Sequence, residues 1–358
     1  MGSKSKNTED DVYVSCLSGR GIYRSSGRFV KDPVVGGADS PLITNLLTGE
    51  EYFLRAFSCK TDRIKTIKKR VRHPADGDVI LWPKDYVILS EAQSRVCTLK
   101  TYANYSAQPM PAETADNNYA AVFPFRSYPE RANLGSRLSV LEPRSWKQKE
   151  TVRLAANILY AFERLNRDGY LYFDVHPSRI LVDGTGKVFL DYTDLLLSIE
   201  EAAEIYRGAQ PPIAFEKGAY PIEFAEPAVV LGSIKGFDFQ SQNYEIASLL
   251  FYILFDRYPY DGRLMSDYAD NSVQHHYLKF NAYHQQAVFI FDPYDKENAL
   301  GAFEDERHII ELWKSCPDCI KQLFIRTLST DNALRKIHND NPTTGQWLSA
   351  FKEAGWLN

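Results

Sequence analysis

The sequence lacks the features that define several large classes of protein. No stretch of its 358 residues approaches the roughly 18 consecutive apolar residues of a membrane-spanning helix. Its polar start, MGSKSKNTEDD, has no apolar core of the kind found in signal peptides. With Lys+Arg 42 against Asp+Glu 46, the net charge of −4 gives no overall basic excess for nucleic acid. We therefore expect a cytoplasmic protein with neither a membrane nor a nucleic acid as partner.

Cysteine is also scarce, and its spacing does not predict a metal site. Five cysteines, an odd number over the whole chain, are typical of reduced thiols rather than of a disulfide framework. Cys316 and Cys319 form one CxxC, but His308 and His338 provide no second ligand pair at the spacing of a zinc site. Because a helical pattern follows at once, we interpret this segment as a helix start with Pro317 in the first turn.

The residues that are abundant can build two cores. Hydrophobic residues make up 44% of the chain and aromatic residues 13%, and its length favours two lobes over one. Short β-prone pieces dominate up to residue 125: a small hairpin within 1–31, two strands at 42–47 and 51–57 joined by a turn at 48–49, and a strand at 79–82. An amphipathic basic helix within 60–73 interrupts them. Helical periodicity dominates afterwards, and 244–255 is apolar almost all round, as in a buried helix. The sequence predicts an α+β protein with an N-terminal extension at 1–31, a β-rich lobe at 32–128 and a larger helical lobe at 129–358.

Two aspartates follow short strands in the most informative segment of the chain. A loop after a long helix presents Asp174, and Asp191 follows seventeen residues later, after a hairpin that turns at Asp183-Gly184. Two loop carboxylates held by one hairpin suit phosphoryl transfer, in which one orients a hydroxyl and the other holds a phosphate-bound metal. The alternative for each carboxylate is a structural one, in which it braces its own loop by accepting backbone N–H groups.

At these residues the sequence resembles the protein-kinase family. Residues 173–179, Phe-Asp-Val-His-Pro-Ser-Arg, stand where kinases carry the HRDxxxxN catalytic loop, and 191–193, Asp-Tyr-Thr, stand where they carry DFG. Residues 224–227, Phe-Ala-Glu-Pro, are similar to a rearranged Ala-Pro-Glu motif, and 242–255 resemble the buried central helix of the large lobe. The resemblance implies a bilobal kinase-like fold that uses ATP and Mg²⁺, with Asp174 as catalytic residue and Asp191 as metal ligand.

The C-terminal part carries a narrower resemblance. Residues 289–298, Phe-Ile-Phe-Asp-Pro-Tyr-Asp-Lys-Glu-Asn, and 342–347, Pro-Thr-Thr-Gly-Gln-Trp, are similar to bacterial kinase-like proteins of tellurite-resistance-type phosphorylation systems. That group is associated with von Willebrand A-type proteins and metal-dependent phosphatases. The resemblance implies protein partners of these two kinds.

The predicted small lobe departs from the kinase pattern at its phosphate-binding positions. Gly36 and Gly37 stand where a GxGxxG loop belongs, but the third glycine is missing, and an ordinary turn explains the pair equally well. Arg55 replaces the lysine of the third strand, keeping the charge in a wider planar group. The glutamate that usually pairs with this residue has no counterpart, since Asp62 is the only acid between positions 57 and 73.

The predicted large lobe departs at its metal-binding positions. Arg179 replaces the asparagine that helps to hold Mg²⁺, and a guanidinium cannot coordinate a cation. Tyr192-Thr193 removes the glycine of DFG, and His176 is most simply a structural residue of its loop. We assign Asp174 as the candidate catalytic residue, Asp191 as the candidate metal ligand, and Gly36, Gly37, Arg55 and Arg179 as candidate nucleotide contacts.

Three functions follow from this pattern of retained and missing residues. The first is a pseudokinase that acts as a scaffold or regulator, binds ATP and Mg²⁺ weakly and transfers little or no phosphate. The second is an atypical Ser/Thr protein kinase that uses Asp174, Asp191 and Arg55 with ATP and a divalent metal. Other phosphate chemistry on the same fold, including nucleotidyl transfer, is the third.

Overall fold

The structure is a computed structural model and contains two compact units. One unit comprises Met1–Asn133 together with Phe189–Tyr192, and the other comprises Leu134–Val188 and Thr193–Asn358. The residues described are 12–17, 22–31, 39–59, 61–73, 79–90, 93, 117–125, 132–141, 149–173, 175–192, 196–208, 223–234, 238–266, 279–301, 303–304, 306–329 and 340–357. One unit is built mainly on a sheet and the other mainly on helices, so the chain is an α+β protein.

The first unit is built on a six-stranded antiparallel sheet. Its strands lie in the order β1-β2-β3-β4-β6-β5. They comprise β1 Val12–Val14, β2 Ile22–Lys31, β3 Asp39–Asn45, β4 Glu51–Cys59, β5 Asp85–Ile88 and β6 Asn117–Pro124. The predicted hairpin of the first 31 residues is confirmed, since Val14 pairs with Ile22, and β2 also pairs with β3. The boundary predicted at residue 31 stays a prediction, although β2 belongs to the same sheet as β3.

The two outer strands of this sheet meet, so that it closes on itself. Ser15 forms an antiparallel bridge with Val87, and the Cys16 N–H donates to the Tyr86 carbonyl at 3.0 Å. The buried Asp85 carboxylate reinforces this seam by accepting from the Leu17 N–H at 3.2 Å and from the Tyr23 hydroxyl at 2.9 Å. Burial is the main cause, and the nearby Asp85 charge a second one, that raises the pKa of the Tyr23 hydroxyl well above its usual range. The hydroxyl therefore stays protonated and can donate to Asp85.

The predicted basic helix forms, as α1 Thr61–Arg72. Its apolar positions Ile67 and Val71 are buried, whereas Lys68 and Lys69 are exposed, as the helical period requires. Arg70, three residues after Ile67, lies on the same buried stripe although it is charged, and its carbonyl accepts from the Trp82 indole N–H at 2.7 Å. The helix therefore packs against the unit along a stripe that includes one arginine.

A segment from the second half of the chain completes the first unit. The prediction of a strand at 79–82 is wrong. Ile80 forms only an isolated parallel bridge, with Leu190 as its partner. The Leu81 N–H donates to the Leu190 carbonyl at 2.9 Å, and the Leu190 N–H donates to the Val79 carbonyl at 2.8 Å. These two bonds fix Phe189–Tyr192, and with them Asp191, within this unit.

The second unit is mainly helical. Its short strands are β8 Tyr170–Tyr172, β9 Ile180–Val182, β10 Val188–Leu190, whose last two residues belong to the first unit, and β11 Leu196–Ser198. β8 pairs antiparallel with β11. The helices are α2 Leu134–Ser139, α3 Lys149–Arg167, α4 Ile199–Tyr206, α5 Pro227–Val230, α6 Phe239–Phe255, α7 Arg263–Ser266, α8 Glu306–Ser315, α9 Asp318–Leu328 and α10 Thr344–Glu353, with a π-helix at Asn281–Gln285. β7, Ala132–Asn133, precedes α2.

The buried helix predicted at 244–255 is confirmed and forms the centre of this unit. Asp238 caps α6 by accepting from the Gln240 N–H at 2.8 Å, and the helix ends at Asp256 in a left-handed conformation. An aromatic cluster surrounds α6, with Phe291 stacked on Trp313 at 4.5 Å between ring centroids. The members of this cluster include Phe251, Phe255, Phe289, Phe291, Trp313, Phe324 and Trp347.

The CxxC segment begins a helix, as predicted. Pro317 is the N-cap of α9, Cys316 is buried, and both Cys316 and Cys319 are free thiols. Burial raises the pKa of Cys316 to about 12, so its thiol stays protonated at neutral pH. Among the described residues, no helix combines the length and the apolar character that a bilayer crossing requires.

Candidate phosphate and metal site

Arg55 lies in the middle of the sheet of the first unit. It is on β4, opposite Ala121 of β6, and only 2% of the residue is exposed. An arginine is rarely this buried unless an acidic group pairs with it. The arrangement therefore requires a carboxylate inside the first unit.

That carboxylate belongs to Asp191, which is fully buried. Arg55 Nη1 donates to Asp191 Oδ1 at 2.9 Å and to Oδ2 at 2.8 Å. The two residues are 136 positions apart in the chain, and the backbone bonds of Leu190 bring them together. The structure thus joins the candidate nucleotide cation and the candidate metal ligand directly.

Aromatic rings surround this ion pair. The Arg55 guanidinium carbon lies 5.0 Å from the centroid of the Phe123 ring and 6.0 Å from that of Phe53. Tyr192, which follows Asp191, packs edge-on against Trp82 at 6.0 Å and lies 6.2 Å from Phe123. In this apolar setting the charges attract strongly, and separating them costs several kcal/mol.

The ion pair changes what each partner can do chemically. Both carboxylate oxygens of Asp191 accept from Arg55, so their negative charge is already balanced. A phosphate ligand would have to compete with Asp191 for Arg55, and a cation would have to compete with Arg55 for Asp191. The absence of the usual helix glutamate is thus compensated by a different acid, the one to which the kinase pattern assigns a metal ion.

The residues around the predicted catalytic loop lie in the second unit. Pro177–Arg179 form one 3-10 turn, and His176 caps it by accepting from the Ser178 N–H at 3.1 Å through Nδ1. The His176 ring also packs edge-on against Phe224 at 5.8 Å. These contacts agree with the prediction that His176 is a structural residue of its loop. Arg179 is buried at the end of the turn, with 7% exposure.

The central helix is tied to this region by an amide rather than a carboxylate. Gln242 is fully buried, accepts from the Tyr172 N–H at 2.9 Å and donates to Asn166 Oδ1 at 3.0 Å. Both functions of the amide are therefore used in linking α6 to β8 and α3.

The Asp183 carboxylate braces the turn between β9 and β10. Asp183 Oδ1 accepts from the N–H groups of Thr185 at 2.8 Å and of Lys187 at 3.0 Å. The predicted turn at 183–184 is confirmed, and Gly186 has the positive φ that closes it. The turn leads directly into the strand before Asp191.

Sequence reasoning missed a second polar cluster, near His176. Glu223 forms an ion pair with Lys279, whose ammonium lies 5.8 Å from the ring centroids of both Tyr258 and Tyr283. Although burial acts to raise the pKa of Glu223, the Lys279 charge holds it below its usual value. No local sequence signal predicts this pair, because its members are 56 residues apart.

Of the predicted site residues, the structure brings together Arg55 and Asp191 and locates Arg179. The other three, Asp174, Gly36 and Gly37, lie outside the described residues, and their roles stay predictions. No group of three or more His, Cys, Asp or Glu that could hold a metal ion occurs in the described ranges.

Comparison with known proteins gives one local similarity. The chain is 35% identical over 65 residues to serine/threonine-protein kinase ppk31 of Schizosaccharomyces pombe (strain 972 / ATCC 24843). The match covers 18% of this chain and 6% of that kinase, so the two share one short segment. No protein-family model matches the chain. The similarity supports a kinase-like character for that segment. It gives no support to the narrower resemblance to bacterial kinase-like proteins.

Proposed function

We propose that the protein is a pseudokinase: a chain with a bilobal protein-kinase-like fold that acts as a scaffold or regulator. Under this proposal it transfers little or no phosphate. The observation that carries it is the buried bond between Arg55 and Asp191. The local similarity to a serine/threonine kinase supports the choice of fold.

The argument from the ion pair concerns charge. Phosphoryl transfer in kinases needs a cation on the nucleotide phosphates and a carboxylate on the metal that bridges them. In this chain the residues at those two positions, Arg55 and Asp191, form an ion pair with aromatic rings packed around it. Their charges therefore neutralise each other. Binding a nucleotide and a metal would require that bond to break, which subtracts its free energy from the affinity.

The residues present do not fit Mg²⁺ well. This ion requires an octahedral shell of oxygen ligands, usually with one or two carboxylates. Asp191 is bound to Arg55, and Arg179 is a cation at the position of the second protein ligand. Any nucleotide binding should therefore be weak or independent of metal.

An atypical serine/threonine protein kinase is the second candidate. It is favoured by the presence of a carboxylate at both positions of the kinase pattern, Asp174 and Asp191. Asp174 would orient the substrate hydroxyl in this enzyme. Arg55 would have to leave Asp191 for the nucleotide phosphates.

The protein partners follow from the narrower resemblance. We propose that the scaffold works in the cytoplasm with a von Willebrand A-type protein and a metal-dependent phosphatase. The motif at residues 289–298 supports this choice. In the structure, Asp292 fixes that loop by accepting from the N–H groups of Tyr294 and Asp295. The loop presents Tyr294 with 89% exposure, as a partner contact would require.

A thermal-shift titration tests the pseudokinase proposal. Wild-type protein is titrated with ATP and with ADP, each with and without Mg²⁺ or Mn²⁺, beside Asp191→Asn and the exposed-residue control Arg28→Met. We expect small shifts that do not depend on metal, because Asp191 is held by Arg55. Tight ATP binding that requires Mg²⁺, retained in Arg28→Met and lost in Asp191→Asn, would instead support the kinase.

A further inference from the structure

Four exposed aliphatic side chains lie side by side across the seam of the first unit. Val14 pairs directly with Ile22, and the bridge from Ser15 to Val87 places Ile88 next to Val14 on its other side. The Leu46 N–H donates to the Ile22 carbonyl at 2.9 Å, which extends the series by one segment. We call Ile88, Val14, Ile22 and Leu46, in this spatial order, the aliphatic row.

The aliphatic row faces away from the core. Residues directly opposite each other in an antiparallel sheet point to the same side, and the next residues along each strand point to the other. The alternate residues Tyr13, Tyr23 and Val87 are buried. The members of the row are exposed to 55% for Ile88, 55% for Val14, 41% for Ile22 and 46% for Leu46. Contiguous exposed apolar patches on soluble units commonly mark interaction sites.

The closed sheet restricts how a partner can bind here. The bridge from Ser15 to Val87 and the bond from Cys16 to Tyr86 occupy the backbone groups where β1 meets β5. An added strand therefore finds no free edge at this seam. A partner must contact the side chains of the aliphatic row, whose positions are fixed by the Asp85 bonds beneath it.

The dimensions of the aliphatic row match one face of an α-helix. Neighbouring strands lie about 4.8 Å apart, so four segments span roughly 14 Å. A helix of about ten residues has that length, and its apolar side chains recur every 5.4 Å or so along one face. An amphipathic helix laid across the strands can therefore place one apolar side chain near each member.

The charged residues around the aliphatic row indicate which charge a partner helix should carry. Arg24 is exposed and lies two residues beyond Ile22 on the same side of β2. On the other side of the row, α1 packs against β5 and ends at the exposed Arg72, whose charge acts on Tyr86, two residues before Ile88 on β5. Residues 1–133 hold 19 Lys and Arg against 15 Asp and Glu, a net charge of +4.

These observations select an acidic partner over a second copy. Two copies joined through the aliphatic row would bring their own Arg24 and Arg72 together, which is electrostatically unfavourable. We propose that the aliphatic row is a docking site for an acidic amphipathic helix of a partner protein, with Arg24 and Arg72 pairing with its flanking carboxylates. This inference does not depend on whether the protein transfers phosphate.

Fluorescence anisotropy with two synthetic peptides tests the docking site. Both are amphipathic helices of about 14 residues with leucines on one face, and the remaining positions are glutamate in one peptide and lysine in the other. We expect the glutamate peptide to bind wild type more tightly than the lysine peptide. The triple variant Val14→Thr, Ile22→Thr, Ile88→Thr should weaken that binding at least tenfold, because threonine keeps the strand propensity but removes apolar contact.

Matched controls separate docking from folding. Arg24→Glu should weaken the glutamate peptide and improve the lysine peptide, and Val140→Thr, at a residue 74% exposed in the other unit, should change neither. The melting temperatures of all variants should stay near wild type, because the substituted side chains are exposed.

Several results would overturn the docking proposal. Failure of the glutamate peptide to bind wild type would do so, as would equal binding of both peptides or unchanged binding by a folded triple variant. Dimerisation abolished by the triple variant would assign the row to a second copy. Binding to vesicles of anionic phospholipid without binding to the glutamate peptide would assign it to a membrane surface.

Discussion

Arg55 Nη1 lies 2.9 Å from one carboxylate oxygen of Asp191 and 2.8 Å from the other, and both side chains are almost completely buried. In the kinase pattern these positions serve different ligands, a phosphate and a metal ion. In this structure the two side chains bind each other instead. The structure of the first unit therefore depends on two residues that an enzyme would need to keep available.

Breaking this ion pair should destabilise the protein strongly. Arg55→Ala removes the cation that pairs with the buried Asp191 charge, and such losses cost about 3–5 kcal/mol in the free energy of unfolding. The exposed pair between Arg28 and Glu51 provides the control, since Arg28→Ala should cost less than about 1 kcal/mol.

Urea unfolding of the two variants at pH 7 measures this difference. The double variant Arg55→Met, Asp191→Leu should recover much of the loss, because it removes both charges and keeps the volume. Similar losses for Arg55→Ala and Arg28→Ala would show that the buried pair contributes no more than a surface pair.

Gly262 should be intolerant of any side chain. A β-carbon at this position would lie 2.1 Å from the Asn298 carbonyl oxygen and 2.7 Å from Oδ1. The buried Asn298 side chain donates to the Tyr260 and Val288 carbonyls and accepts from the Leu264 N–H, so it has no room to move.

Comparing two glycine substitutions checks this requirement. Gly262→Ala should lower the free energy of unfolding by about 3 kcal/mol or more, through overpacking and broken hydrogen bonds. A β-carbon on Gly184 would meet nothing within 4 Å, so Gly184→Ala should be almost neutral. A melting temperature for Gly262→Ala that equals that of Gly184→Ala would contradict the assigned contacts.

His284 should make the protein less stable in mild acid. Burial lowers its pKa in the folded protein to about 4, and the Glu223 charge only partly opposes this effect. Its unfolded value is about 6.5, so below that pH the unfolded chain binds the proton more readily. The contribution to stability is fully present above pH 6.5 and falls as the pH drops towards 4.

The free energy of unfolding should therefore fall by about 2 kcal/mol between pH 7 and pH 5 through this residue alone. In His284→Phe, the decrease over that range should be smaller by this amount, because no proton can bind at the position. Gln285→Leu, at an exposed position without a titratable group, should keep the wild-type profile. Identical pH profiles for wild type and His284→Phe would rule out the buried neutral imidazole.

Replacing Gln242 should lower the free energy of unfolding more than replacing an exposed glutamine does. Gln242→Leu removes the acceptor of the buried Tyr172 N–H and the donor to Asn166 Oδ1, which should cost about 1–3 kcal/mol in the free energy of unfolding. Gln285→Leu, at an exposed position, should change the free energy of unfolding by less than about 0.5 kcal/mol. Equal effects in a urea titration would show that the two bonds do not stabilise the link from α6 to β8.

Local patterns predicted most of the secondary structure. The hairpin of β3 and β4, the basic helix α1 and the central helix α6 all carry their period or turn residues within a short window of sequence. Contacts between strands that are distant in the sequence are harder to predict. Ser15 and Val87 are far apart in the chain, and nothing near Ser15 indicates that β1 reaches β5.

The candidate site was predicted by residue but not by arrangement. The kinase pattern selects both Arg55 and Asp191, yet it predicts a separate ligand for each. Their bond depends on the insertion of Phe189–Tyr192 into the first unit, which no local pattern encodes. The pair of Glu223 and Lys279 was missed for the same reason, since charged residues at large sequence separation carry no pairing signal.

Phosphate transfer is the most direct test of the pseudokinase proposal. Wild type and Asp174→Asn are incubated side by side with radiolabelled ATP, Mg²⁺ or Mn²⁺ and a generic protein substrate, with melting temperature as the folding control. Asparagine keeps the size of the side chain and removes the carboxylate that would orient a hydroxyl. We predict equal background incorporation by both proteins, and transfer clearly above background in wild type that disappears in the folded variant would contradict the account.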